Sequence, residues 1–103
     1  MEQSDILRRK KQQYIDLLEQ ISRTCQQLDT GIKNLDNISG QTVQAYSIDG
    51  QSADHNYLVN TANQARQIHN HLAYSVMPVI EQQINILGEQ IADAIVKESL
   101  ARS

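Results

Sequence analysis

The sequence predicts an all-α protein, an elongated antiparallel helical hairpin with its second helix kinked or broken near Pro78. Three observations carry this. Apolar residues recur at alternating steps of four and three in two long stretches, which is the spacing of a helical seam. The 103 residues include only four Gly and one Pro, so little interrupts the helices. Turn-forming residues gather near the middle, at Ser47, Asp49, Gly50, Ser52 and Asp54. They divide a single hairpin domain, 1–103, into arm one (about 4–46), a turn (about 47–52) and arm two (about 53–101). All four aromatic residues are Tyr. The core must therefore come from Leu, Ile, Val and Ala, which suits a helix–helix seam better than a round core.

In arm one, Ser4 and Asp5 form a helix start, Ser4 as a cap and Asp5 favourable to the helix dipole. The seam runs through Tyr14, Leu18, Ile21, Cys25, Leu28, Ile32 and Leu35, and extends back to Leu7. Ile15 and Leu17 widen it. Gln12, Asp16, Glu19, Arg23, Gln26, Asp29 and Lys33 form the solvent face. Gly31 interrupts the arm at about 1 kcal/mol relative to Ala. It is either tolerated flexibility or a place for close approach of another helix. Asn37, Ser39 and Gly40 predict a helix end over residues 34–40, followed by a frayed helical continuation through "QTVQAY".

In arm two, Leu58, Ala62, Ala65, His69, Leu72, Val76 and Val79 step by four and three. Beyond Pro78 the stripe is Ile80, Ile84, Leu87, Ile91 and Ala94, traceable back to Met77 and Ala73. The two stripes are out of register. Pro78 has no N–H, and its ring conflicts with the carbonyl of Tyr74 in a regular helix. A helix bent at Met77–Pro78 is favoured over two helices with Pro78 near the start of the second, because no turn-forming cluster surrounds it. Residues 55–80 hold one basic residue, Arg66, and no acidic one. A solvated helix face carries more charge than that. The stretch is expected to be covered on more than one side, by a second copy or another helical protein.

Chemistry is sparse. His69 and His71 stand two apart, on opposite sides of a helix, and no metal-binding spacing accompanies them or His55. Cys25 is a seam residue, without an activating neighbour in sequence. No phosphate loop, nucleophile triad or paired carboxylates are present, so neither enzyme activity nor a cofactor is expected. Arg8, Arg9, Lys10 and Lys11 are the one charge run; Glu81, Glu89 and Asp93 fold back toward it in a hairpin, within the chain or across a dimer. A net charge of −3 argues against nucleic acid as a partner. No apolar run reaches the ~20 residues of a membrane span. The N-terminal basic run leads into an amphipathic segment rather than a leader. A lone Cys fits a reducing compartment. The expected location is cytoplasmic, or outside the cell by a route without a cleaved leader.

The turn carries a resemblance. Two similar arms joined at Ile48-Asp49-Gly50, with Ala53 and Tyr57 after it, resemble the WXG family of small helical hairpins of type VII secretion, and the related small partners of LXG toxins. Ile48 stands where that family has Trp. Its C-terminal export signal, an aromatic followed four residues later by an acid, has no counterpart after Tyr74. The resemblance implies a non-enzymatic, chaperone-like or targeting protein. It would pair with the helical N-terminal region of a toxin or with another small hairpin. Composition and periodicity serve a coiled-coil scaffold subunit equally well.

Overall fold

The computed structural model describes residues 2–45 and 53–102, with 42–45 and 53–54 described by backbone alone. Helix α1 spans Gln3–Ala45, and α2 spans Ala53–His71. A π-helical turn, Leu72–Val76, joins α2 to α3, Met77–Arg102. No strand occurs among the described residues. Helix α1 runs against α2 and α3 in turn, which makes the molecule an antiparallel hairpin. Its extents are 83 × 16 × 14 Å, so every seam residue lies close to solvent. The Ile48-Asp49-Gly50 turn falls outside the described residues.

The apolar heptad of α1 is longer than its apolar residues suggest. Ser4, Leu7 and Lys11 continue it toward the N-terminus, and Ser39 continues it beyond Leu35, all at steps of three and four. Ser4 and Ser39 are buried. This corrects two expectations. The helix begins before Ser4, and the carbonyl of Glu2 accepts from the Asp5 and Ile6 amides. Ser4 is thus a seam residue rather than a cap. Residues 34–40 are not a helix end either, because α1 continues to Ala45. Ser39 lies against the second arm, its hydroxyl donates to the Asp36 carbonyl at 3.2 Å, and Gly40 has no left-handed φ. Seam packing outweighs the ~1 kcal/mol helix penalty of one Gly.

At Pro78 the chain neither breaks nor leaves helical geometry. His71 and Met77, which flank the π-turn, are both right-handed helical. The Met77 amide donates to the Leu72 carbonyl, five residues back. The wider turn inserts one extra residue, relieving the α-helical ladder just where Pro78 has no proton to donate. It also reconciles the two stripes. Ala62 is buried on one side of the π-turn, and Ile80, Leu87 and Ala94 on the other, all against α1.

Gly31 meets no close-approaching helix; a Cβ there would have nothing within 4 Å. Gly31→Ala is therefore expected to stabilise the hairpin by about 0.5–1 kcal/mol, through helix propensity alone. Thermal unfolding followed by circular dichroism reads this as a raised midpoint. A lowered midpoint would mean that the site has a neighbour.

Candidate partner-binding face

The seam uses up only one stripe of each arm. Of the predicted seam residues, Cys25, Ile32, Ile80 and Leu87 are buried. Tyr14, Leu18, Ile21, Leu28, Leu35, Leu58, Leu72, Val76, Ile84 and Ile91 are half-buried. One facing helix shields the centre of a stripe and leaves its margins wet.

The two margins differ. A residue immediately before a seam position stands about 100° back around the helix. Because the arms run in opposite directions, this backward step leads to the same lateral side of the hairpin from either arm. On that side stand Ile6, Leu17 and Ile38 of α1, and Tyr57, Ile68, Val79 and Ile86 of arm two. All seven are exposed. They precede Leu7, Leu18, Ser39, Leu58, His69, Ile80 and Leu87 respectively. From Gln13 to Ile38, and from Tyr57 to Gln90, no residue preceding a seam position is charged. Lys10, Asp93 and Lys97 supply charge only at the open end. The opposite side follows the seam positions and is polar at most of them, with Arg8, Glu19, Asp29, Lys33, Asn63, Asn70 and Glu81. Ile15, Val59 and Ile95 are its larger apolar members.

Polar contacts fix the register of the arms. Arg66 reaches across to the Asp36 carboxylate. Near the turn, the His55 ring meets the Ser39 carbonyl at 3.0 Å; a carbonyl only accepts, so Nδ1 carries the proton. At the open end Arg102 pairs with Glu2. The Glu98 carboxylate accepts from the Ser4 amide at 2.9 Å and from the Ser4 hydroxyl at 2.7 Å. Glu98 thus caps the start of α1 from the other arm, a role that sequence spacing could not reveal across 94 residues. Lys11 extends beside Gly88, where a Cβ would stand 3.6 Å from its Nζ. The expected intrachain match of the basic run with Glu81, Glu89 and Asp93 does not form; among the described residues Arg8 pairs with Asp5 instead.

The Ser4 amide and then its hydroxyl hold the Glu98 carboxyl below its ordinary pKa, with help from Arg8 and against the effect of burial. A folded value below the unfolded one means stability that is present above the unfolded value, about pH 4.3. It is lost as pH falls through the lowered folded value. Glu98→Gln is expected to melt earlier than the parent at pH 7, and the gap is expected to close in acid. A gap of equal size at pH 3 and pH 7 would refute the charged cap.

Of the other predicted residues, Ile48, Asp49 and Gly50 lie outside the described residues, Ala53 opens α2, and Tyr57 stands on the apolar side. Cys25 is a free, buried thiol. No group of three or more metal-capable side chains occurs among the described residues. No helix among them is long and apolar enough to cross a membrane.

The class defined by this geometry is the slender helical hairpin with exposed apolar residues of both arms on one lateral side. No protein-family model, no curated protein and no solved structure matches the chain.

Proposed function

We propose that this chain is a non-enzymatic partner protein that pairs its lateral face with another helical chain, as a targeting or chaperone-like partner of a type VII secreted toxin. The observation that carries the pairing is the gathering of Leu17, Ile38, Ile68, Val79 and Ile86 on one side, along a stretch free of charge. Exposed apolar residues spaced along a side that carries Gln, Thr, Ser and Asn rather than charge suit the laying down of another helix. An amphipathic helix laid along it would bury its own apolar stripe in the same step. The toxin as partner is supported by the resemblance of the Ile48-Asp49-Gly50 stretch alone.

Co-expression tests this. The toxin region is expected to be insoluble alone and soluble with this chain, and Val79→Glu with Ile86→Glu is expected to abolish the rescue. A toxin region that is soluble alone and indifferent to this chain overturns the proposal. A scaffold subunit is the second reading, favoured by the length of the face along an 83 Å hairpin. Recovery in a multi-subunit particle would select it.

A further inference from the structure

We propose that the open end of the hairpin, on the side opposite Val79 and Ile86, binds an acidic amphipathic helix of another protein and holds one of its carboxylates between Arg8 and Lys11. The site lies across the molecule from the residues that carry the toxin reading and stands independently of it.

The first argument is Lys11. It occupies a seam position and is half-buried, with its stem beside Gly88. A lysine in a helical seam lowers stability and restricts which partner is accepted. Lys11 enters none of the ion pairs among the described residues. A partly desolvated ammonium gains from a carboxylate brought to it. Arm two supplies none at this level, since Asn85, Gly88, Ala92 and Ile95 follow its seam positions on this side. Asp93 precedes Ala94 and stands on the other side, and Glu89, two positions after Leu87, points away from α1. Glu81 shares the side but lies two helical turns from Gly88, about 10 Å along the axis.

The second argument is shape. Lys11 opens with Arg8, Gln12, Ile15 and Ile91 onto a hollow of about 360 Å³. Arg8 also lines a second hollow, of about 410 Å³, with Ser4 and Ile95. Joined at Arg8, the two form one groove. From Ser4 to Ile15 it runs about 16 Å, or three turns of helix. Arg8 is 3.6 Å from Asp5, and both side chains are exposed. Such a pair contributes little, so Arg8 turns to an incoming carboxylate at small cost. The acids beside the second hollow are already engaged, Glu98 with Ser4 and Glu2 with Arg102.

Charge and apolar surface together select the occupant. Ile15 and Ile91 are half-buried and Ile95 is exposed, so apolar walls flank the two cations. A hydrated phosphate makes no use of those walls. An amphipathic helix does, because residues three and four apart share one of its faces. Apolar residues a turn to either side of a glutamate rest on Ile91 with Ile15 and on Ile95, while the carboxylate reaches Arg8 and Lys11.

Fluorescence anisotropy on the full chain tests the proposal. The probes are a labelled amphipathic peptide of roughly 15 residues, built from Leu, Ala and Glu, and its counterpart with Lys in place of Glu. The acidic peptide is expected to bind more tightly than the basic one, and less tightly at high salt. Arg8→Gln and Lys11→Gln are each expected to weaken it about fivefold, with helical circular dichroism unchanged. Arg8→Glu with Lys11→Glu is expected to reverse the preference toward the basic peptide. Val79→Glu with Ile86→Glu, which removes toxin rescue in the co-expression test, is expected to leave acidic-peptide binding unchanged. Equal affinity for the two peptides, or binding lost in Val79→Glu with Ile86→Glu, overturns the site. Displacement of the peptide by inorganic phosphate, at a concentration where chloride of equal ionic strength has no effect, overturns the helix as occupant. A doubled mass in light scattering that Lys11→Gln abolishes puts a second copy in the groove and overturns it likewise.

Discussion

Leu87→Ala is expected to cost about 3 kcal/mol, within the ~2–5 kcal/mol range for truncating a buried Leu. Leu87 is 3% exposed, and no larger side chain in the described core is better covered. The seam has no Phe or Trp, and nothing behind α1 can move in to fill a void. Leu17→Ala is the control, since Leu17 is 40% exposed and truncating it removes far less buried surface. Urea unfolding of both variants at a concentration where the parent is monomeric checks the contrast. Equal losses would show that Leu87 is not at the centre of the seam.

The second large effect comes from adding volume. Ala62 is 1% exposed, the lowest value among the core residues. Ala62→Leu forces three extra heavy atoms into a site already closed by α1, a change that costs about 1–3 kcal/mol in a well-packed core. Separation of the arms is expected to stay local. Amide exchange is expected to accelerate along α2 and the facing part of α1, while the open end, held by Glu98 and Arg102, keeps its protection. Unchanged exchange along α2, or a gain in stability, would mean that the arms stand further apart there than this burial implies.

Much of the fold was legible because a two-helix seam is a local, periodic signal. The steps of four and three placed Cys25, Ile32, Ile80 and Leu87 on the seam without any knowledge of what faced them. Two misreadings arose where a polar residue occupied a seam position. A third arose at Val79, expected on the first stripe of arm two but exposed, because the extra residue of the π-turn passes the stripe from Val76 to Ile80. Ser4 and Ser39 resembled a cap and a terminator because Ser is common at both, and only the arm opposite converts them into buried seam residues. The clash at Pro78 was readable from one residue. Its resolution as a π-turn depends on how both halves of arm two must meet α1 at once.

The lateral face was half-visible. Leu17 was seen to widen the first stripe, and the scarcity of charge over residues 55–80 pointed to a second cover. Which side of arm two matches which side of α1 cannot be read from either stripe alone. It follows from the antiparallel pairing, which turns a backward step on each helix toward one side of the molecule.

By itself, the sequence determined two long helical arms and most of the stripe that each buries, because these depend on residues a turn or two apart. Tertiary structure alone decided that Glu98 caps the start of α1, that Lys10 and Asp93 share one end without pairing, and that exposed apolar residues from both arms converge on one face. Each of these depends on residues far apart in the chain, and only the facing of the two arms brings them together.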